Sequence, residues 1–330
     1  MSKTNIPDHA LVADIGGTNA RFAVADLDTL ELAAIRDFPC ASHPTPAAAM
    51  CHYLADLAVR PRHAAIAVAA PVTSEEIEFT NSPWSFTRSE LCRAAELHTI
   101  HVLNDFEALS LSLPHLLQAE VHQIGGDAPV EDAAKAVLGP GTGLGVAGLV
   151  WSGAQWVAVP GQGGHVSLRA NDERELALLE RLRFGRDHLS FERALSGPGL
   201  SDLYRAVAAS HGRDEERLAP NDVLSRALQG DDDLAEETVN TFTAWLGSFA
   251  GDIALVFGAR GGVYLGGGIS PRLLSRLAGG AFRRAFEDKG RMKSFLAPIP
   301  VYVILAEFAA LKGAASSLRV ALPGRPPSTP

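Results

Sequence analysis

An aspartate and two glycines separate two apolar runs near the start of the chain, in "LVADIGGTNARFAVAD" (11–26). Glycine lets backbone N–H groups approach a phosphate closely, and the hydroxyl of Thr18 adds a donor. An acidic residue beside bound phosphate indicates a cation between them, and Mg²⁺ takes few carboxylates and keeps several waters. We therefore interpret Asp14 as a residue that holds Mg²⁺ through water, and Gly16-Gly17 as a turn with positive φ angles. A carboxylate that caps the turn is the alternative interpretation of Asp14.

Two more glycine-rich bends follow apolar runs, at Gly139–Gly145 and Gly266–Gly268. A single bend of this kind is most often only a tight turn, but three of them, two with Thr, favour a nucleotide site. None fits the P-loop pattern GxxxxGK[ST], and the second is a poor dinucleotide fingerprint because an apolar run typical of a strand follows it. The third bend is expected to lead directly into a helix, whose N-terminus favours negative charge.

Asn104 and Asp105 lie where the apolar run "IHVL" ends and the helical pattern "FEALSLSL" begins. In open α/β sheets ligands bind at this end of the strands. Phosphoryl transfer to an alcohol needs a carboxylate that accepts the hydroxyl proton, a role that Asp105 fits, while Asn104 could bind sugar hydroxyls. The alternative is structural, because Asn is a good N-cap and Asp suits a first helical turn. The helix N-terminus is expected to keep Asp105 ionised.

A second polar cluster is "PGQGGHV" (160–166), in which three glycines surround Gln162 and His165. The glycines allow a close approach of the backbone to a ligand. A lone histidine is more often structural than functional, and metal-ligand spacing is absent around it. Glu192, in "SFERALSGPGL", precedes another glycine turn and taken alone is a charge on a helix.

Strands and helices alternate along the chain, which predicts an α/β fold. Thr45 and Pro46 are expected to begin a helix as N-cap and first helical residue. The predicted strands lie at 11–15, 21–26, 64–72, 100–103, on both sides of the bend in 136–150, in "WVAVP", in "GGVYL" and at 299–305. Helical patterns occupy 88–97, most of 171–260 and the end of the chain. We predict a small domain of 1–114 plus 306–322, a large domain of 115–305 and a flexible tail, 323–330.

The composition is that of a globular protein of about two domains, with 330 residues, 47% hydrophobic and 20% charged. A net charge of −9 argues against a partner that is nucleic acid or an anionic membrane. Neither a secretory signal nor a run of about 20 apolar residues is seen, so we expect a cytoplasmic protein. The three cysteines have no zinc or redox spacing and are expected to be reduced thiols.

Many ordered stretches of this chain, from about residue 10 to 320, resemble the bacterial glucokinases of the proteobacterial type, within the actin/hexokinase/sugar-kinase superfamily. The stretches that carry the resemblance are "ADIGGTNARFAV", "TNSPWSF", "LNDFEAL", "GPGTGLGVA", "PGQGGHV", "LSGPGLSDLYRA", "GGVYLGGGISPR", "AFEDKGR" and "IPVYVI". The resemblance implies a two-domain ribonuclease-H-like fold of the actin/hexokinase type with an interdomain cleft. It also implies ATP-dependent phosphorylation of D-glucose to glucose 6-phosphate in glycolysis, with Mg²⁺, by a homodimer.

The same resemblance implies roles for individual residues. Asp105 takes the general-base role, and the sugar contacts fall on Asn104, Asp105, Gln162, His165 and Glu192. Both glycine hairpins hold ATP phosphates, and the third bend lies by the adenosine. The implied nucleotide-binding residues are Ala13, Asp14, Ile15, Gly16, Gly17, Thr18, Asn19, Gly141, Thr142, Gly143, Gly267 and Gly268, with Asp14 at the Mg²⁺.

The chain departs from the family pattern at Gln162, where a sugar-binding glutamate is usual. Glutamine accepts a hydrogen bond at one end and donates at the other, so the affinity for sugar could fall or the preference could change. The alternative function is therefore a kinase for another hexose, such as fructose, mannose or glucosamine. A sugar-sensing regulator would need a helix-turn-helix, and about ten residues precede the first strand. A chaperone-like ATPase is disfavoured by the polar cluster.

Overall fold

The structure is a computed structural model that describes residues 9–58, 60–79, 84–183, 185–214 and 217–322. The described residues form two compact units: unit 1 lies within 1–117, 151–160 and 306–330, and unit 2 within 118–150 and 161–305. The predicted tail, 323–330, lies outside the described residues, and so do 80–83 of the stretch "TNSPWSF". The predicted division into two domains stays a prediction.

Strands and helices alternate, which confirms the α/β class. The strands are β1 (His9–Ile15), β2 (Asn19–Asp26), β3 (Leu32–Pro39), β4 (His63–Val68), β5 (Glu76–Glu78), β6 (Ser85–Thr87), β7 (Thr99–Asn104), β8 (Val121–Gly125), β9 (Lys135–Pro140), β10 (Leu144–Trp151), β11 (Trp156–Gly161), β12 (Val263–Leu265) and β13 (Val301–Ile304). The helices are α1 (Pro46–Ala55), α2 (Arg88–Ala94), α3 (Asp105–Ser112), α4 (Glu173–Arg183), α5 (Gly197–Ser210), α6 (Pro220–Gln229), α7 (Asp233–Phe257), α8 (Leu274–Ala278), α9 (Ala281–Glu287), α10 (Lys293–Leu296) and α11 (Ala309–Ala321).

Unit 1 is built on a five-stranded sheet with strand order β3-β2-β1-β4-β7. β1 and β2 form an antiparallel hairpin in which Asp14 lies opposite Arg21. β1, β4 and β7 run parallel, so that Ile15, Val68 and Asn104 share one row across three strands. The carboxyl ends of these strands therefore meet at one edge of the sheet.

Both faces of this sheet are covered, because successive side chains of a strand point to opposite faces. Ala13 and Ile15 of β1 belong to a core that includes Tyr53 of α1. Val12 belongs to a second core, with Leu318 of α11. Burial on both faces is typical of parallel strands in α/β proteins and fixes the height of β1 between two layers of helices.

Helices α3 and α11 of unit 1 approach each other closely at a glycine. A Cβ placed on Gly313 of α11 would lie 1.7 Å from the carbonyl oxygen of Ala108 in α3. Any side chain at position 313 would therefore push α3 away, and α3 begins at Asp105.

Five strands of unit 2 form one sheet with the order β10-β9-β12-β13-β8. β9, β12 and β13 are parallel, with Leu138 opposite Leu265 and Leu265 opposite Val303. β10 is antiparallel to β9, and β8 is antiparallel to β13. The sheet therefore has a parallel centre, and the bends after β9 and β12 emerge next to each other.

Helix α7 runs through the core of unit 2, and most of its 25 residues are buried or partly buried. The side chain of Asp232 caps its start by accepting the Ala235 N–H, and Gly258 ends it in the left-handed conformation. A Cβ on Gly247 would lie 2.2 Å from the carbonyl oxygen of Phe282, so this glycine lets α9 approach α7. In the described part of the chain no helix is both long and apolar enough to span a membrane.

Some predicted elements differ from the observed ones. Thr45 caps α1 as expected, since its hydroxyl accepts the Ala48 N–H. The strand predicted over 64–72 ends at Val68, and the edge strands β3 and β8 were not predicted. Cys40, Cys51 and Cys92 are all free, as expected for reduced thiols.

Candidate active site

The first glycine bend joins β1 to β2 and is closed by a hydrogen bond from the Gly16 N–H to the carbonyl of Asn19, at 2.9 Å. Neither Gly16 nor Gly17 is among the glycines with a positive φ in the described ranges, so that expectation was wrong. The bend closes through the Gly16–Asn19 hydrogen bond without left-handed backbone at either glycine. The backbone N–H of Cys40, the residue after β3, donates a hydrogen bond to the Thr18 carbonyl at 2.8 Å and so also holds the bend.

The proposed nucleotide-binding residues of this bend differ in which of their groups a ligand could contact. Ala13 and Ile15 have fully buried side chains, so only their backbone groups could meet a ligand. Thr18 and Asn19 are exposed, and a Cβ on Gly16 would meet only the Asn19 carbonyl oxygen, at 3.7 Å. The bend therefore presents the polar side chains of Thr18 and Asn19 to solvent.

Asp14 and Asp105 reach the same edge of the unit 1 sheet. Asp14 lies one residue before the end of β1, and Asp105 follows β7 directly as the first residue of α3. Ile15 and Asn104, their chain neighbours, share a row through Val68. Both carboxylates are consequently brought to the carboxyl ends of two parallel strands that β4 separates, at the edge where α/β proteins bind ligands.

The pKa values of these two carboxyl groups are raised. Burial, followed by the charge of Asp14, raises the pKa of Asp105 to about 7, although the N–H of Phe106 and the side chain of Asn104 lower it. Burial also raises the pKa of Asp14, against the charge of Arg21. The expectation that the helix N-terminus keeps Asp105 fully ionised was therefore wrong, because desolvation and a like charge outweigh the helix end.

Arg21 is a residue of this site that the sequence analysis missed. Asp14 pairs with it across the hairpin, and its guanidinium Nε donates to Asp37 at 2.6 Å while its Cζ lies 5.1 Å from the centre of the Phe308 ring. The register of a tight hairpin around Gly16-Gly17 was the signal that could have identified it. Arg21 supplies the positive charge that partly offsets the burial of Asp14.

Asn104 has the structural role that the sequence left open. Its side-chain oxygen accepts from the N–H of Phe106 at 3.0 Å and of Glu107 at 3.3 Å, and the Glu107 carboxylate accepts the Asn104 N–H at 3.3 Å. This is a capping box, which starts α3 at Asp105. The Asn104 amide also donates to the carbonyl of Ala70 at 3.3 Å. Asn104 therefore fixes the position of Asp105.

For Asp14, the turn-capping alternative lacks support. In the part of the chain that the structure describes, no hydrogen bond joins the Asp14 carboxylate to the turn backbone, whose Gly16 N–H goes to Asn19 instead. No group of three or more His, Cys, Asp or Glu side chains able to hold a metal is found in those residues. A carboxylate that accepts no hydrogen bond from the turn backbone fits Mg²⁺ that keeps most of its waters and takes its other ligands from phosphates.

The second glycine bend, in unit 2, joins β9 to β10. The Gly141 N–H donates to the Gly143 carbonyl at 2.8 Å, and the Gly141 carbonyl accepts the Gly197 N–H of α5 at 2.8 Å. Thr142 at its tip is exposed. A Cβ on Gly141 would meet no atom within 4 Å, and its φ is not positive, so neither packing nor strain requires glycine there. A close ligand would explain it.

The third bend follows β12 and packs on the second. The Gly266 N–H donates to the Leu138 carbonyl at 2.8 Å, and a Cβ on Gly267 would lie 2.4 Å from the Pro140 carbonyl oxygen. Gly267 and Gly268 are exposed, and Gly268 has open space around its missing Cβ. The bend does not lead directly into a helix: a turn and a 3₁₀ segment intervene before α8, so that expectation was wrong.

Unit 2 brings His165 and Glu192 together. The Nδ1 of His165 lies 3.9 Å from Oε1 of Glu192, and the other oxygen, Oε2, accepts the Leu144 N–H at 2.9 Å. The His165 carbonyl lies 3.0 Å from Nε2 of His188, a second residue that the sequence analysis did not find. Glu192 lies in a 3₁₀ turn, so it is no longer an isolated charge on a helix surface.

Gln162 is exposed at the start of the turn that carries His165, and its carbonyl accepts the His165 N–H at 3.0 Å. The turn lies tightly on the second bend, because a Cβ on Gly164 would be 2.0 Å from the Leu144 carbonyl oxygen. Packing within unit 2 therefore explains this glycine, and Gln162 is left with its amide in solvent.

Comparisons with known proteins agree with the fold and show the family. A family model described as Glucokinase matches residues 11–321. A glucokinase of Erwinia tasmaniensis is 43% identical over 95% of this chain and 98% of that protein. The crystal structure of glucokinase from an Antarctic psychrotroph is 37% identical, with a TM-score of 0.85 over 95% of this chain and 99% of that one. A ROK family glucokinase from Streptomyces griseus, in complex with glucose and AMPPNP, shares the fold at 18% identity, with a TM-score of 0.67 over 94% and 98%.

These likenesses give the fold its class, which is the ribonuclease-H-like fold of the actin/hexokinase type. The family match spans both units, and the residues of the sugar and glycine stretches fall within it. The chain belongs to the glucokinase family.

Proposed function

We propose that this glucokinase-family enzyme transfers the γ-phosphoryl group of ATP to the 6-hydroxyl of D-glucose, with Asp105 as the general base. The observation that carries the proposal is the Asp105 carboxyl group at the start of α3, with a pKa raised to about 7. A general base works best when its pKa is near the operating pH, since it is then ionised yet still basic enough to take a proton.

In the proposed step, Asp105 accepts the proton of the 6-hydroxyl while that oxygen bonds to the γ-phosphorus. The bond between the γ-phosphorus and the bridging oxygen to the β-phosphate breaks, and ADP leaves. Phosphoryl transfer passes through a loose transition state, so the proton moves late and the carboxylate mainly orients the hydroxyl. The capping box of Asn104 supports this role, because it holds Asp105 in place before the sugar binds.

The two glycine hairpins are proposed to bind the phosphates of ATP. Gly141 has neither a packing neighbour nor a strained φ that would explain it, and the same holds for Gly268 of the third bend, which we propose to lie by the adenosine. Backbone N–H groups at such positions can approach a phosphate or a sugar edge closely. The proposed set is Ala13–Asn19, Gly141, Thr142, Gly143, Gly267 and Gly268.

Asp14 is proposed to hold Mg²⁺ through water. The Asp14 carboxylate and the lack of a metal-binding cluster in the described residues suit an ion that shares its ligands between phosphates and waters. When bound, Mg²⁺ would neutralise charge on the β- and γ-phosphates. Asp14 also raises the pKa of Asp105 in the absence of the ion.

The sugar contacts are proposed for Asn104, Gln162, His165 and Glu192. Oε1 of Glu192 is available for a hydroxyl, since Oε2 holds the Leu144 N–H. Gln162 offers an exposed neutral amide where a glutamate is usual in the family. A hydrogen bond to a charged group contributes about 1.5–3 kcal/mol, against about 0.5–1.5 for a neutral one, so we expect weaker sugar binding.

The departure at Gln162 motivates a test of the second candidate, a kinase for fructose, mannose or glucosamine. Release of ADP from Mg-ATP with glucose, each of these sugars and no sugar separates the two candidates. Strong release with glucose alone supports the glucokinase, and a preference for another hexose supports the second candidate. Without sugar-dependent release, both are refuted.

Asp105→Asn tests the base. Turnover should fall to nearly nothing, while glucose binding, followed by calorimetry, should persist because Asn still offers hydrogen bonds to the sugar. Turnover retained within about tenfold of the unchanged enzyme would refute the general-base assignment.

Family membership also supports a homodimer that acts in the cytoplasm and feeds glucose 6-phosphate into glycolysis. Light scattering tests the homodimer, for which the expected mass is about twice the 34.9 kDa of one chain. A mass of one chain at micromolar concentration would refute it.

A further inference from the structure

Glu192 contacts the second glycine bend, in addition to lying 3.9 Å from His165. Its Oε2 accepts the N–H of Leu144, the residue after Gly143, at 2.9 Å. A Cβ on Gly143 would lie 2.6 Å from this oxygen, so the glycine leaves the room that the carboxylate needs. The backbone of the bend and the side chain of Glu192 are therefore fitted to each other.

The segment that follows Glu192 holds the other end of the same bend. The Gly197 N–H, at the start of α5, donates to the Gly141 carbonyl at 2.8 Å. Glu192 and Gly197 thus bind the bend Gly141–Leu144 at its two ends, one through a carboxylate and one through the backbone.

The turn that carries Glu192 is packed against the core of unit 2. The ring of Phe191 stacks on Phe249 of α7 with centroids 4.3 Å apart, and the Phe191 N–H donates to the Val166 carbonyl at 3.0 Å. The turn that carries Glu192 is therefore fixed by the buried core of unit 2, and a carboxylate on such a support can hold a loop in one conformation.

We propose that Glu192 is a positioning residue for the phosphate-binding bend Gly141–Leu144, in addition to its sugar contact, so that sugar and nucleotide affinities are coupled through one carboxylate. This inference rests on the proposed function. Loss of the carboxylate frees the Leu144 N–H and lets the bend move, which weakens nucleotide binding even when no sugar is present. A residue that only contacts sugar has no such effect.

The test is the equilibrium affinity for Mg-AMPPNP without sugar, measured by calorimetry on the full chain. We expect Glu192→Ala to weaken binding about tenfold, the usual loss for one hydrogen bond to a charged group. Glu192→Gln should stay within about threefold, because its carbonyl can still accept the Leu144 N–H. Glu180→Ala, at an exposed position of α4, is the matched control and should bind the nucleotide analogue as the unchanged protein does.

Hydrogen exchange of the Leu144 amide is the second measurement, and it needs no ligand. Protection should be lost in Glu192→Ala and kept in Glu192→Gln, with thermal unfolding showing that both variants are folded. Unchanged analogue affinity in Glu192→Ala, or equal exchange in all three proteins, would overturn the inference. If the unchanged protein binds no nucleotide, the proposed function fails instead, and the exchange result still decides the contact.

Discussion

Asp14 and Asp105 lie at one edge of the unit 1 sheet, and the charge of Asp14 raises the pKa of Asp105. Asp14 lies near the end of β1 and Asp105 directly follows β7, and the charge of Asp14 is the second cause, after burial, of a pKa of about 7 at Asp105. Carboxyl groups with pKa values raised in this way cluster at functional sites.

The first prediction concerns the pH dependence of kcat/KM for glucose, which reports the free enzyme. Below its pKa of about 7 the base is protonated, so kcat/KM should fall about tenfold per pH unit as the pH drops. Initial rates between about pH 5.5 and 8.5, with the coupling enzymes in excess, measure this. A level profile over that range would contradict the prediction.

The second prediction concerns stability. The pKa of Asp105 in the folded state lies above its ordinary value of 3.8. Between pH 3.8 and about 7 the folded state therefore binds this proton more strongly than the unfolded state does, and the free energy of unfolding decreases as the pH rises through that range. Asp105→Asn carries no charge, and we expect it to be more stable than the unchanged protein at pH 8, by about 1–4 kcal/mol. Urea unfolding at pH 8 and near pH 4 checks this. A gain that does not shrink at the lower pH would count against it.

The third prediction separates ligand contact from packing at glycine. Gly141→Ala places its Cβ in open space, so the free energy of unfolding should change by less than about 1 kcal/mol, while KM for ATP should rise about tenfold or more. Gly164→Ala is the matched contrast, because its Cβ would meet the Leu144 carbonyl at 2.0 Å and destabilise the fold. Chemical unfolding and ATP saturation curves are the measurements. An unchanged KM for ATP in Gly141→Ala would remove the main support for the phosphate site.

The fourth prediction concerns Gln162→Glu. The new carboxylate can accept hydrogen bonds from two sugar hydroxyls. KM for glucose should therefore fall about tenfold, with little change in KM for ATP. Gln229→Glu, at the exposed end of α6, adds the same charge and should leave both constants unchanged. Equal glucose KM values for the Gln162 protein and its Glu variant would show that this position does not set the sugar affinity.

The fifth prediction concerns the contact of α3 with α11. Gly313→Ala would place a Cβ 1.7 Å from the Ala108 carbonyl oxygen, so the helices must separate, at a cost of about 2–4 kcal/mol of unfolding free energy. Val320→Ala in α11 is 53% exposed and should cost less than about 1 kcal/mol. Thermal and urea unfolding compare the two variants. Equal stability of Gly313→Ala and the unchanged protein would contradict the close approach.

The sequence predicted the elements whose local pattern is strong. The hairpin around Asp14, the helix after Thr45 and the hairpin around Thr142 all form where expected. The edge strand Leu32–Pro39 was missed because most of its side chains are exposed, which leaves no apolar pattern to see.

The electrostatics of the site could not be predicted from local sequence. The raised pKa of Asp105 depends on burial and on Asp14, about ninety positions earlier in the chain. The pairing of Asp14 with Arg21 needed the register of the hairpin. The bond from Leu144 to Glu192 joins residues far apart in sequence, and only the folded unit brings them together.

The second and third glycine bends meet backbone to backbone. A Cβ on Gly139 would lie 2.4 Å from the backbone of Gly266, just as one on Gly267 would meet Pro140. The two bends are therefore mechanically one block, which transmits a displacement of either bend to the other. Directed evolution towards a different phosphoryl donor would have to vary Gly139 and Gly267, where the bends meet, together with the backbone that they contact.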